Sequence, residues 1–503
     1  MADQIALTEA ELNVLKRIER LPFGRFHWRL LAMGGLGYTF DAMDGSMIAF
    51  ILPAVSALWG LTNQVTGVLG AALFIGYLPG AFFAGALGDL IGRRRVMMYA
   101  LAIYCLATLI AAFSPNWQFL FWSRAVAGFG TGAESAIIAP FLAEFVQKKY
   151  RGRFIGSLSG FFSFGFVFAA LLGYFVVPTR SDGWRIVQIL TALPIVMLLW
   201  WRRALPESPR WLIQRGRTAD ARAEVDRMEA DALRGGNASL LPLESVEVAA
   251  ISGRQRGGSE NALAQSMNQP TRSTLVVWFV GIAKNVVALF SHRMRRTTLM
   301  LWLLWITITF SYYGFFTWIP SLLVKQGMTI TKSFSYSIIM YLAQIPGYYS
   351  AAFASEKLDR KWTIVLYLLL GGGSAYLLSN ARSDTAITMA GFLLSFFMNG
   401  TYAGIYAYTP ELYPTRIRTT GMGVASAFGR IGGMLAPIVI GNTYARIGFG
   451  GVFSITTAVL LIGSLAVAFL GISTAGKSLE QIAQELGDTD TERRDTAVVT
   501  NQT

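Results

Sequence analysis

Asp41 and Asp44 stand in the stretch GYTFDAMDGSMIAFILP (37–53), whose other residues are almost all apolar. An aspartate at the centre of a membrane-spanning helix costs roughly 2.5–3.5 kcal/mol on insertion scales, so two of them call for a function. Three residues apart on an α-helix, they lie about 60° from each other and share nearly one face. Neighbouring carboxylates resist ionising together, burial disfavours the charged form, and an adjacent guanidinium favours it. A carboxyl in that setting can carry a proton, taking it up on the acidic side and giving it up when an arginine comes opposite. Arg124, inside another apolar run, is the expected partner. The plainer alternative, an aspartate that only caps or hydrogen-bonds a neighbouring helix, serves for one of the pair better than for both.

Two more ionisable groups sit away from the loops. Glu134 lies ten residues beyond Arg124 in the same run. It is open to three readings: a second titrating group, a ligand for a cation, or a partner for a buried base. Arg430 is either the anchor of an anionic substrate group, since a guanidinium matches a carboxylate bidentately, or half of an ion pair between neighbouring helices. Polar and amphipathic residues suited to a cavity wall are Tyr312, Tyr313, Gln344, Asn399, Tyr402 and Tyr406. Such rings in a membrane also serve as packing or as an interfacial belt. Their substrate reading is that of a flat ligand needing stacking faces and few polar anchors, with Arg124 or Arg430 for its charge.

The elements that must position these groups are membrane helices. Of 503 residues, 53% are hydrophobic and only 14% charged, against about 25% charged in soluble domains. The apolar residues come in blocks of the length that a hydrocarbon layer of about 30 Å requires. Twelve spans are expected: 29–55, 65–87, 96–113, 118–140, 154–177, 184–201, 298–322, 334–354, 363–379, 385–408, 420–443 and 450–472. The fold class is therefore an all-α polytopic membrane protein. Its parts are a polar segment 1–28, six spans over 29–201, a linker 202–297, six spans over 298–472 and a tail 473–503. The first apolar run is too long for a cleavable signal and reads as a retained helix. Within the linker, 217–234 reads as a surface helix, 235–273 as Gly/Ser/Asn-rich connection, and 274–290 as an interfacial helix.

The net charge of +14 is a topology signal. With both termini cytoplasmic, the short inner loops hold twelve Lys and Arg, the outer loops six, and the linker, also inner, fifteen more. No nucleic-acid partner is implied. The single cysteine, Cys105, allows no internal disulfide. The string GFGTGA (128–133) follows no strand and lies inside a span, so it brings helices together and cradles no nucleotide.

The halves echo each other. GDLIGRRRV (88–96) after span two answers SEKLDRKWT (355–363) after span eight, so that Asp89 faces Glu356 and Arg93 faces Arg360. Glu144 precedes Arg151 by seven residues after span four, as Glu411 precedes Arg418 after span ten. With RAVAGFGTGAE (124–134), PESPRWL (206–212) and PELYPTRIR (410–418), these loops resemble the major facilitator superfamily, in its sugar-porter and synaptic-vesicle-protein-like branch. That resemblance implies two six-helix bundles, a cavity near the midplane and alternating access. It also implies an Asp on span one working against an Arg on span four in proton coupling, and FDAMD is similar to the aspartate pair of proton symporters for aromatic acids. Asp89, Arg93, Glu144, Arg151, Arg210, Glu356, Arg360, Glu411 and Arg418 are then a candidate gate between the inner ends of the halves.

The amide-rich lining of sugar porters is replaced here by rings, as in SLSGFFSFGF (157–166) and ITFSYYGFFTW (308–318). The stretch LPFGRFHWRLLAMGGLGYTFDAMD (21–44) is similar to bacterial niacin transporters, with Tyr38 where that pattern has Trp. The resemblance implies proton-coupled uptake of nicotinate across a bacterial inner (plasma) membrane by a monomer. Other aromatic or organic acids, a sugar or an organic cation are rivals within transport. A transporter-like receptor is the rival outside it. No metal cluster, nucleophile–base pair or cofactor loop is expected, and the only histidines, His27 and His292, flank spans.

Overall fold

The computed structural model describes residues 9–233, 286–292, 294–414, 417–474 and 481. Regular structure among them is helical throughout. In chain order come α1 (Glu9–Glu19), α2 (Arg25–Trp59), α3 (Asn63–Ile91), α4 (Arg93–Ala111), α5 (Trp117–Ala143) and α6 (Lys148–Val176). Then follow α7 (Gly183–Ala192), α8 (Met197–Ala204), α9 (Pro209–Gln214) and α10 (Thr218–Leu233). The later helices are α11 (Arg295–Lys325), α12 (Ile330–Leu342), α13 (Gln344–Leu358), α14 (Arg360–Ser379), α15 (Asp384–Glu411) and α16 (Arg418–Leu470).

Among the described residues, 10 helices are long and apolar enough to cross a membrane. Two local features explain how the expected spans map onto them. The 53 residues of α16 extend about 80 Å at 1.5 Å each, but the backbone leaves helical geometry at Gly448 (φ 63, ψ −166), between the expected spans 420–443 and 450–472. Expected span 334–354 is instead split into α12 and α13. Pro346 has no N–H for the carbonyl of Leu342, and the helix breaks at Ala343. The surface helix expected at 217–234 is α10; the stretch 235–273 and most of 274–290 lie outside the described residues.

The chain forms two compact units, residues 1–48 with 72–278, and residues 49–71 with 279–503. In the first, α3 and α5 cross at glycines. A Cβ on Gly76 would stand 1.7 Å from the Ala125 carbonyl oxygen, and one on Gly128 2.0 Å from that of Leu73, so no side chain fits at either crossing. This is what the GFGTGA string does, and it fixes α5, which carries Arg124 and Glu134. In the second unit, 49–71 is held by the Phe50 ring, 5.1 Å from Phe334, and by a hydrogen bond from Lys325 Nζ to Asn63 Oδ1 of 2.5 Å.

The polar segment expected at 1–28 contains an element that the sequence reading lacks. Helix α1 buries Val14, Leu15, Ile18 and the following Leu21 in the same cluster as Trp211, Leu212, Ile213, Val225 and Met228 of α9 and α10. Arg17 and Arg20 lock it there, with Arg17 Nη2 2.6 Å from Glu229 Oε2 and 2.5 Å from Asp226, and Arg20 Nη2 2.5 Å from Glu229 Oε1. Burial alone would raise the Glu229 carboxyl; the hydrogen bonds from Arg17 and Arg20 outweigh it and hold the group below the ordinary glutamate value.

Candidate functional site

In the first unit the structure separates the two aspartates. Asp44, fully buried, receives Arg124: Nη1 donates to Oδ1 at 2.8 Å and Nη2 to the Asp44 backbone carbonyl at 2.7 Å. Thr108 of α4 donates its hydroxyl to the same Oδ1 at 2.9 Å. Asp44 Oδ2 and Arg124 Nε have no partner. Three helices thus meet at one carboxylate. Arg124 reaches it because the glycine crossings bring α5 against its neighbours, and Thr108 is the hydroxyl in an otherwise apolar stretch of α4. The ion pair is almost sealed, with exposures of 1% and 0%. A pair so enclosed is worth little as a pair, but removing one partner costs about 3–5 kcal/mol.

Asp41, also buried, lies one turn earlier, beside Glu134. Glu134 is wholly enclosed with neither carboxyl oxygen hydrogen-bonded, and no ion pair to it exists among the described residues. The reading of Glu134 as partner of a buried base therefore has no base to rest on there. Nor is any group of three or more His, Cys, Asp or Glu placed to hold a metal ion among the described residues.

In the second unit the candidate substrate residues come together as one network. Tyr312 donates its hydroxyl to Gln344 Oε1 at 3.0 Å, and Asn399 Nδ2 donates to the Gln344 carbonyl at 2.7 Å. Gln344 opens α13 directly after the break at Ala343 and joins α11 and α15 through its side-chain oxygen and its carbonyl. The Tyr402 ring stands edge-on to Tyr312 at 5.1 Å and roughly parallel to Tyr406 at 6.3 Å. Trp305, which the sequence reading passed over, closes on Tyr406 at 5.1 Å and donates Nε1 to Thr409 at 3.1 Å. Arg430 donates Nη1 to the Tyr313 hydroxyl at 2.8 Å. This contact sets the guanidinium at the edge of the tyrosine cluster, since the Tyr313 ring lies 5.2 Å from that of Tyr312. Arg124, the other candidate anchor, belongs to the first unit.

The loop charges pair inside each unit. Arg93 Nε lies 3.2 Å from Glu144 Oε1, and Ser208 donates its hydroxyl to Glu144 Oε2. Arg151 and Arg210 both reach Glu19 of α1 at 3.5 Å. Burial, first, and the neighbouring Arg151 lower the Arg210 pKa. In the second unit Arg360 Nη2 lies 2.9 Å from Glu411 Oε1, and Arg418 donates Nε to the Tyr413 carbonyl at 3.2 Å. The aligned residues therefore make the same pair twice, Arg93–Glu144 and Arg360–Glu411. The side chains of Asp89 and Glu356 lie outside the described residues. Glu19 carried no sequence signal, and Ser208, though inside PESPRWL (206–212), was not singled out there because that motif drew attention to Arg210.

Helices of membrane-spanning length, internally repeated loop pairs and an enclosed Asp–Arg pair are in keeping with a membrane transporter, and the family match makes it one of the major facilitator superfamily. The chain belongs to the sugar (and other) transporter family, whose pattern matches residues 38–486. The niacin transporter NiaP of Acinetobacter baylyi is 39% identical over 472 residues, covering 94% of this chain and 100% of that protein. Synaptic vesicle 2-related protein of Xenopus laevis is 26% identical, covering 94% of this chain and 83% of that one. In fold the chain is similar to the xylose transporter XylE from E. coli in its inward open conformation, with TM-score 0.67, 16% identity, and coverage of 91% and 99%. It is a transporter and not an enzyme.

Proposed function

We propose that this transporter takes up a small aromatic carboxylate, nicotinate first, together with protons, by alternating access. The observation that carries the coupling is the sealed Asp44–Arg124 pair with Thr108 on the same oxygen. Protonation of Asp44 removes the charge that holds Arg124 Nη1, while the backbone carbonyl still holds Nη2. Binding and release of a proton therefore turn the guanidinium without dislodging it. Arg430 with the rings of Tyr312, Tyr402 and Tyr406 suits a carboxylate on a flat ring, and the likeness to a niacin transporter supports nicotinate. In this reading the bend at Gly448 makes α16 two crossings, and α12 with α13 makes one, giving twelve. Both chain ends face the cytoplasm of a bacterium, where the loop Lys and Arg gather.

Counterflow of radiolabelled nicotinate in vesicles reconstituted with the purified protein tests the substrate. Nicotinate is expected to exchange, with benzoate competing and xylose not. No exchange of nicotinate, with labelled xylose or an organic cation exchanging in its place, would overturn the assignment.

A further inference from the structure

Glu134 takes no part in the coupling scheme above, yet its surroundings are unlike those of any ordinary buried acid. Neither Oε1 nor Oε2 has a hydrogen-bond partner. Oε1 lies 2.8 Å from where a Cβ on Gly37 would stand, and that same point is 3.1 Å from Ile138 Cδ1 and 3.2 Å from Trp201 Cη2. The carboxyl is thus pressed onto the backbone of α2, between apolar walls, one turn before Asp41. The ionisable groups that interact with it are Asp41 from α2 and Tyr104 and Cys105 from α4, while Tyr38 of α2 and Tyr77 of α3 donate to the next residue, Ser135. Arg124 is ten residues away, about 15 Å along α5, and is committed to Asp44. α8 contributes Trp201, which does not ionise.

Asp41 is the carboxyl beside Glu134, and no cation pairs with Glu134 among the described residues. An ionised carboxylate without hydrogen bonds or a counter-ion is too costly in such a place and takes up a proton instead. Asp44, on α2, is the opposite case: its Oδ1 accepts from Arg124 of α5 and Thr108 of α4. We infer that Glu134 is a second proton-binding site, separate from Asp44, so that a monovalent anionic substrate crosses with two protons. This rests on the proton-coupled reading above. One negative substrate and two hydrogen ions sum to one net positive charge per cycle, and each proton binds and leaves as such, with no other bond changed.

Two readouts test it. Infrared spectra of the purified protein at neutral pH are expected to show the carbonyl stretch of a protonated, non-hydrogen-bonded carboxylic acid, absent in Glu134→Gln. In reconstituted vesicles the charge moved per nicotinate is expected to fall from one net positive charge in the wild type to none in Glu134→Gln. Asp41→Asn, which removes the opposing carboxylate, keeps the infrared test open should Glu134→Gln not fold: it is expected to shift that band. A band absent at neutral pH, or unmoved by either substitution, overturns the site, as does an unchanged charge count in Glu134→Gln. A wild type whose uptake ignores a pH gradient overturns the coupling reading itself, and is told apart because it requires no variant.

Discussion

Asp44, Arg124 and Thr108 act as one unit because one carboxyl oxygen of Asp44 accepts from two donors on different helices. Arg124→Ala should leave Asp44 buried without its counter-charge and lower stability by about 3–5 kcal/mol, read as a fall in thermal midpoint in detergent. Asp44→Asn combined with Arg124→Gln should lose much less than the sum of the two single changes; strictly additive losses would refute the pairing. In the second unit, Tyr312→Phe removes the donor to Gln344 Oε1. It should cost about 0.5–1.5 kcal/mol and weaken nicotinate binding, measured by titration of the same thermal midpoint. The importance of the aspartates was legible in the sequence from their cost in an apolar run. Which of them meets Arg124 was not, because that depends on the rotation of α2 against α5, set by glycine contacts among distant residues. Thr108 was invisible for the same reason: a threonine in a membrane helix usually bonds its own backbone, as Thr131 does to Gly128 at 3.1 Å.

Helix placement was legible from hydrocarbon thickness: among the described residues ten helices are long and apolar enough to cross a membrane, and they lie over the apolar runs. Two places differ: Pro346 divides the expected span 334–354 into α12 and α13, and the expected spans 420–443 and 450–472 form the one helix α16, which leaves helical geometry at Gly448. The crossing of α3 and α5 admits no side chain, so Gly76→Val should prevent assembly of the first unit, seen as loss of the monodisperse species on size exclusion. Normal elution with native stability would show that the two helices can part without harm. Helix α1 escaped notice because its apolar stripe is short and its partners, α9 and α10, follow some 200 residues later. Its docking should depend on pH. The Glu229 carboxyl is held below the ordinary glutamate value, so its contribution is present above the unfolded-state pKa and is lost as pH falls through the folded one. Protection of residues 9–21 against hydrogen exchange, taken relative to the intrinsic rate at each pH, is expected to be high at neutral pH and lost well below about pH 4. Arg17→Ala should lack protection at both. Exchange insensitive to both pH and Arg17 would detach α1 from this account.

The two halves repeat more than their charges. Gly92 (φ 102) and Asp359 (φ 81) open α4 and α14 at aligned positions with the same left-handed backbone. In the second half an aspartate tolerates what glycine adopts freely, and its Oδ1 accepts from the Thr474 N–H at 3.3 Å, beyond the last helix. The repeat of loop charges was legible from spacing alone, whereas their pairing within each half, and the recruitment of Glu19 by Arg151 and Arg210, were not. The second of these depends on how α1 and the linker fold onto the first unit. Arg93→Ala is expected to leave expression intact and to shift the population toward the inward-facing state, read as labelling of a cavity cysteine; unchanged labelling from both sides would count against a gating role. The central claim is that Asp44 exchanges a proton against Arg124 and that this exchange drives accumulation. Its most direct measurement is concentrative nicotinate uptake under an imposed pH gradient, acidic outside, in vesicles bearing wild-type protein or Asp44→Asn. Uptake above equilibrium in the wild type, with only equilibration in Asp44→Asn, is the result expected. Accumulation that survives Asp44→Asn would contradict it.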